Sequence, residues 1–208
     1  MDTPVAFGYI IIFILAFLAG SIPSGVMVTR AFSKEDIRQK GSGNIGATNV
    51  ARVAGMRLGL FTLALDLTKG ALPVYLASQF SAGPASTAAM TVAALAAVGG
   101  HMYPVYTLFR GGGKGVATAA GCFLVISPWA CLAAVVLFIL TVCLFRRVSA
   151  GSLAAALALP PAVWLFTSDG VFFVGALVVG LFVVARHRAN IIRLIRGQEP
   201  PFFGKRDK

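Results

Sequence analysis

The residues best suited to chemistry lie in one polar stretch, residues 41–52, which reads GSGNIGATNVAR. Its glycines let a ligand approach the backbone closely, and its hydroxyl and amide side chains supply short polar groups. Successive backbone N–H groups can form an anion-binding nest, and Arg52 adds a planar fork of donors. The stretch therefore predicts an anion-binding loop. The alternative is a Gly/Asn/Ser turn that links two helices.

A second glycine-rich stretch, Phe109 to Gly115, leads directly into an apolar helical pattern that begins at Val116. Such a loop favours anions because the unpaired N–H groups and the helix dipole both attract negative charge. Lys114 adds a full positive charge. The nucleotide-binding P-loop motif is incomplete, since its first glycine is missing and Gly115 replaces its Ser or Thr.

Two further polar patches, residues 146–152 and 186–190, combine basic, serine, histidine and asparagine residues. The four patches hold almost no carboxylates and no recognisable nucleophile, which disfavours two-carboxylate hydrolysis and di-metal phosphate chemistry. The remaining donors suit the binding of phosphate and the stabilisation of developing negative charge. We therefore expect no metal ion.

The elements that must position these patches are membrane helices. The chain has 208 residues, of which 58% are hydrophobic and 12% charged, and its mean hydropathy is +0.85. These values predict an all-α integral membrane protein with one membrane domain over residues 1–208, since a span needs about 20 apolar residues. We predict seven transmembrane helices at 5–28, 58–80, 85–108, 116–127, 129–145, 153–166 and 171–185.

The count of seven depends on how the apolar region 116–145 is divided. As one helix it would be about 45 Å long, which exceeds the thickness of the hydrocarbon core. A division at Ser127-Pro128 gives two shorter spans and returns Arg146 and Arg147 to the basic side. Five crossings with re-entrant short runs is the alternative. The first span is interrupted by Gly, Ser and Pro residues at 20–25.

The basic residues are clustered in a way that orients the chain. The net charge is +11, but the 18 Lys and Arg residues avoid 1–29, 70–109, 115–145 and 148–185. The positive-inside rule then predicts an outside N-terminus, a cytoplasmic C-terminus and four polar patches on the cytoplasmic face. A basic face beside a membrane suits anionic lipids and substrates, so we expect no nucleic acid partner.

Asp66 and Lys69 place two charges within the second predicted span, three residues apart on one helical face. Charges within a membrane helix indicate a functional polar interior. An ion pair that only steadies the helix is the alternative, and the pattern does not separate the two.

Three motifs resemble those of the bacterial acyl-phosphate:glycerol-3-phosphate acyltransferase family. Residues 41–49 with Arg52 resemble its first motif, residues 101–118 its second, and His187 with Asn190 its third. The resemblance covers nearly the whole chain. It implies cofactor-independent transfer of a fatty acyl group from acyl phosphate to the sn-1 hydroxyl of glycerol 3-phosphate. The products would be lysophosphatidate and inorganic phosphate, in the first acylation step of phospholipid synthesis.

The resemblance also implies a location, a partner and site residues. It implies a multi-pass protein of the bacterial inner membrane with a cytoplasmic active site, and a soluble acyl-phosphate synthase as a possible partner. The implied catalytic residues are Ser42, Arg52, Lys114, His187 and Asn190. The implied substrate-binding residues are Gly43, Asn44, Thr48, Asn49, Gly112, Gly113 and Ser152. A membrane transporter for anions or phosphate esters is the alternative function.

The proton acceptor and two departures from the family pattern stay open. A histidine between Arg186 and Arg188 is a poor base, so we expect a phosphate oxygen of the substrate to take the hydroxyl proton. Ala189 stands where the third motif usually has glutamate, so another group must replace any structural role of that glutamate. The second motif has one extra residue, with three glycines at 111–113, which we expect the loop to absorb.

Overall fold

A computed structural model of the chain describes residues 3–80 and 83–202, which form α-helices and the segments that connect them. This confirms the all-α prediction. The chain divides into two compact units, Met1–Ile126 and Ser127–Lys208. A single domain over residues 1–208 stays a prediction.

The first unit contains six α-helices within residues 3–80 and 83–126 and a 3-10 turn at Val105–Thr107. The helices are α1 (Thr3–Ser21), α2 (Ser24–Phe32), α3 (Ala47–Ala54), α4 (Met56–Phe80), α5 (Pro84–Met102) and α6 (Val116–Ile126). The predicted interruption of the first span is confirmed, because Ile22 and Pro23 separate α1 from α2. Proline at this place lacks the N–H that would continue the helix.

Small residues allow the long helices of this unit to approach closely. Helix α1 packs on α5, and α4 packs on both α5 and α6. A side chain added at Gly20 would overlap the backbone of Ala97, and one at Gly70 would overlap the carbonyl of Thr118. Such backbone contact stabilises helix pairs where lipid offers no hydrophobic driving force.

Helix α3 corrects the prediction that residues 41–52 form a loop throughout. The irregular part ends at Gly46, and the rest of the stretch is helical. Val50 is the reason, since it is buried with Val26, Ile37 and Ile45 in a small apolar cluster that the polar composition conceals.

The second unit contains α7 (Pro128–Phe145), α8 (Val148–Thr167), α9 (Gly170–Arg186) and α10 (Arg188–Ile195). Helix α8 packs on α7 and α9. It begins at Val148, so most of the predicted patch 146–152 is helical. Helix α9 has a clear N-terminal cap, because the Asp169 side chain accepts from two backbone N–H groups at 2.8 and 3.0 Å.

Within residues 3–80 and 83–202, five helical segments are long and apolar enough to cross a membrane. A sixth is present if α9 and α10, bent by 61°, count as one span, and α6 is a shorter apolar helix. The predicted division of 116–145 is confirmed, since α6 ends at Ile126 and α7 begins at Pro128. The third predicted span, 85–108, agrees with the candidate span Ala85–Thr107, in which α5 ends at Met102 and a 3-10 turn follows.

Candidate active site

The loop before α3 depends on glycine at two positions. Gly41 and Gly43 have φ angles of 63° and 69°, in the region that favours glycine. A side chain on Gly41 would also meet the amide oxygen of Asn49. The exposed Ser42 lies between these two glycines, at the outer edge of the loop.

Asn49 holds this loop together from inside. It is buried, and its amide nitrogen donates to the carbonyls of Ile37 at 3.0 Å and Lys40 at 3.1 Å. Its amide oxygen accepts from the Ser42 N–H at 2.9 Å. Since both amide hydrogens and the oxygen are engaged by backbone groups, the geometry favours a structural role instead of the predicted substrate contact.

The other predicted residues of this region lie nearer the surface. The Asn44 side chain accepts from the Gly46 N–H at 2.9 Å, which forms the turn into α3. Thr48 and the exposed Arg52 are four residues apart on α3 and therefore share a face of that helix. The helix thus presents a hydroxyl and a guanidinium side by side.

The second glycine-rich loop rests on the end of α5. The Gly113 N–H donates to the His101 carbonyl at 3.0 Å, and a side chain on Gly113 would overlap the His101 ring. Gly112 is buried against the Met102 carbonyl in the same way. The half-buried Lys114 follows and leads into α6. Gly111 is exposed, with no atom near the place of a side chain, so the loop has room for its extra residue.

Asp66 and Lys69 form a buried ion pair with a 2.8 Å separation. Lys69 Nζ also donates to the Ile22 carbonyl at 2.7 Å, at the break between α1 and α2. The His101 Nδ1 atom lies 3.7 Å from an Asp66 carboxylate oxygen. The pair therefore joins α4 to the helix break and to the end of α5 that supports the second loop.

In the second unit, His187 lies at the junction of α9 and α10 and is 2% exposed. Its Nδ1 atom lies 2.8 Å from the Val183 carbonyl oxygen. A carbonyl oxygen can only accept, so Nδ1 carries a proton in this contact. This bond sets the orientation of the ring.

Ser152 and Asn190 are also buried in the second unit. The Ser152 hydroxyl donates to the Val148 carbonyl at 3.0 Å, within α8. The Asn190 amide nitrogen donates to the Glu199 carboxylate at 2.6 Å. Ala189, by contrast, is exposed on α10, so a longer side chain there would not face the buried groups.

Glu199 was not identified from the sequence as a site residue. It is 5% exposed and accepts from Ser149 at 2.7 Å and from Arg193 at 2.7 Å, besides Asn190. Burial raises the pKa of Glu199, but these three hydrogen bonds and the charge of Arg193 outweigh it and hold the pKa below its usual value. The available signal was an acidic residue that follows the basic stretch 186–196 by three positions.

Apolar helices of spanning length, joined by glycine-rich loops that carry basic residues, define a multi-pass membrane protein. A family model described as glycerol-3-phosphate acyltransferase matches residues 10–197. The chain therefore belongs to the glycerol-3-phosphate acyltransferase family.

Individual relatives agree with this assignment. The chain is 47% identical to a glycerol-3-phosphate acyltransferase of Syntrophotalea carbinolica, with 93% of this chain and 97% of the relative covered. It is also 47% identical to one of Myxococcus xanthus, with 91% and 97% covered. The family assignment favours the acyltransferase over the transporter alternative.

Two solved structures share the fold. The crystal structure of PlsY, an integral membrane glycerol 3-phosphate acyltransferase, matches in its glycerol 3-phosphate form with a TM-score of 0.88 and 35% identity. That match covers 95% of this chain and 96% of PlsY. The lysophosphatidic acid form matches with a TM-score of 0.86 and 34% identity.

Proposed function

We propose that this chain transfers a fatty acyl group from acyl phosphate to the sn-1 hydroxyl of glycerol 3-phosphate. The products are lysophosphatidate and inorganic phosphate. The observation that carries the proposal is the likeness to PlsY over 95% of this chain, in forms named for glycerol 3-phosphate and for lysophosphatidic acid. These two molecules are the acceptor and the product of such a transfer.

Acyl phosphate as the donor is supported by the loops of the first unit. The phosphate of the donor is held by Ser42, Gly43, Asn44, Thr48, Gly112 and Gly113. Positive φ angles at Gly41 and Gly43 and the lack of a side chain at Gly112 support this assignment, because glycine lets a phosphate approach the backbone closely. Asn49 supports the same loop from beneath and needs no contact with substrate.

The acceptor requires donors for a second phosphate and for its hydroxyl groups. For these roles we propose Arg52 and Lys114 as sources of positive charge, and Ser152, His187 and Asn190 as sources of polar groups. A guanidinium binds phosphate oxygens in a bidentate manner, which fixes orientation as well as position. These five residues and Ser42 are the site residues that we propose for the reaction.

The chemical step is a direct displacement at the acyl carbonyl carbon. The sn-1 oxygen of glycerol 3-phosphate forms a bond to that carbon, and the bond from the carbon to the phosphate oxygen breaks. A phosphate oxygen takes the hydroxyl proton, so the leaving group departs as inorganic phosphate. The protein contributes position and stabilises the charge that develops on the carbonyl oxygen. His187 orients the acceptor and need not act as the base.

The same proposal includes the arrangement in the membrane. Seven crossings result when the five long segments, the bent α9–α10 pair and α6 each cross once. The distribution of basic residues then places the N-terminus outside and the polar patches on the cytoplasmic face of the bacterial inner membrane. A soluble enzyme that forms acyl phosphate could deliver its product to that basic face.

A comparison of acyl donors tests the proposed function. Purified protein in detergent is given glycerol 3-phosphate and palmitoyl phosphate, palmitoyl-coenzyme A or palmitoyl-acyl carrier protein, and lysophosphatidate is measured by mass spectrometry. We expect product with palmitoyl phosphate alone. Product from a thioester at an equal rate would refute the donor assignment, and an absence of product from every donor would refute the acyltransferase itself.

A further inference from the structure

The short segment that follows α10 is tied to the rest of the second unit by the backbone and side chain of Glu199. The Glu199 carbonyl accepts from the Arg147 guanidinium at 2.9 Å. Three residues later, the Phe202 N–H donates to the Arg146 carbonyl at 2.8 Å. Residues 199–202 therefore form a strap across the start of α8.

The Glu199 carboxylate brings together residues from two helices. One oxygen accepts from Ser149 on α8 and from Asn190 on α10, at 2.7 and 2.6 Å. The other accepts from Arg193, one turn beyond Asn190, at 2.7 Å. A carboxylate that is 5% exposed is costly to bury unless it is paired and hydrogen-bonded, and this one meets both conditions.

These bonds determine how Asn190 is oriented. An ionised carboxylate can only accept, so the nitrogen end of the Asn190 amide must face Glu199 and the oxygen end must face away. Rotation of the amide by half a turn would set two acceptor oxygens against each other. Glu199 thus selects one of the two amide orientations.

The same carboxylate reaches the other helix of the proposed acceptor site. Ser149 and Ser152 are three residues apart near the start of α8 and lie on the same side of that helix. A shared partner for Ser149 and Asn190 fixes the start of α8 relative to α10. Ala189 precedes Asn190 in the chain but is exposed, so its side chain does not contact the Asn190 amide. The carboxylate that binds this amide comes instead from residue 199.

We propose that Glu199 is a positioning residue for glycerol 3-phosphate, which acts by fixing the Asn190 amide and the serine face of α8. This inference rests on the proposed function, since it assumes that Asn190 and Ser152 contact the acceptor. Glu199 itself touches no substrate. Its loss affects acceptor binding much more than donor binding.

The experiment compares the Michaelis constants of the two substrates in Glu199→Gln. The amide keeps the shape of the side chain but places a donor where only acceptors fit. We expect KM for glycerol 3-phosphate to rise about 10- to 100-fold, as for the loss of hydrogen bonds to a charged group. KM for palmitoyl phosphate should change less than about threefold. Gln198→Ala, at the exposed neighbouring position, is the matched control and should behave as the parent protein.

A second variant separates positioning from a purely structural role. Glu199→Asp keeps the charge with a shorter reach and should recover part of the affinity for glycerol 3-phosphate. Equal changes in both KM values, unchanged kinetics in Glu199→Gln, or loss of folded protein in both variants would overturn the inference. A parent protein without acyl transfer would instead refute the proposed function, so the two failures are distinguishable.

Discussion

Asp66 and Glu199 are both buried carboxylates, but they acquire their partners in different ways. Asp66 pairs with Lys69, one turn away on the same helix. Glu199 binds side chains that are 50, 9 and 6 residues away along the chain, on α8 and α10. The first carboxylate supports helix packing in its unit, whereas the second orients residues that we assign to the acceptor. A buried charge is therefore not by itself a sign of catalysis.

The largest effect on stability is expected from Lys69→Met, which leaves the Asp66 carboxylate buried without its partner. Removal of one member of a buried pair costs about 3–5 kcal/mol, because the remaining charge is uncompensated. We expect a strongly lowered unfolding temperature in detergent. The control is the double variant Asp66→Leu/Lys69→Met, which should recover most of the loss.

The same variant decides between the two interpretations of the pair. If Lys69→Met unfolds at the parent temperature while its turnover collapses, the pair takes part in the reaction. The contrast between Asp66 and Glu199 would then be wrong.

Arg52→Ala is expected to give the largest loss of activity among variants that remain folded. We assign Arg52 both to glycerol 3-phosphate and to the negative charge that develops at the carbonyl, and loss of one such preorganised donor lowers kcat by about 100- to 1000-fold. Arg52 is exposed on α3, so its removal should leave the unfolding temperature unchanged. Arg57→Ala, an exposed arginine in the first turn of α4, is the matched control. Near-normal turnover of Arg52→Ala would remove this residue from the site.

The pH dependence of stability distinguishes Glu199 from a neutral hydrogen-bonding residue. The pKa of Glu199 is lowered from its usual 4.5 by its hydrogen bonds in the folded state. The ionised carboxylate therefore stabilises the folded state fully at pH values above 4.5. This stabilisation is lost as the pH falls through the lower pKa that Glu199 has in the folded protein. The difference in unfolding temperature between the parent protein and Glu199→Gln should shrink as the pH is lowered below 4.5. A constant difference would contradict an ionised Glu199.

The smallest effect is expected at Asp36, whose pKa is lowered to about 2 by hydrogen bonds from the Arg38 side chain and backbone. The pair has a 2.8 Å separation but is open to solvent, where water and salt weaken it. We expect Asp36→Asn to retain the parent unfolding temperature and kinetics. A large loss in either measurement would show that ion pairs outside the buried networks also matter.

Local patterns account for what could be predicted from the sequence. The break near Pro23 and the division at Pro128 follow from the chemistry of proline, which acts within a few residues. The pairing of Asp66 with Lys69 follows from helical spacing.

Tertiary contacts account for the rest. Helix α3 was missed because burial of Val50 stabilises a helix within a stretch of glycine and asparagine. Glu199 was missed because its contact with Ser149, 50 residues away, and its contact with Asn190 across the end of α10 follow from no helical spacing. The role of Asn49 likewise became visible only when its three backbone partners were located.

The most direct test is the stoichiometry of the purified protein with palmitoyl phosphate and glycerol 3-phosphate, in excess chelator and without any thioester. The account predicts that lysophosphatidate and inorganic phosphate appear together in a one-to-one ratio, at a rate that the chelator leaves unchanged. Phosphate release without lysophosphatidate, or a rate restored only by a divalent ion, would contradict it.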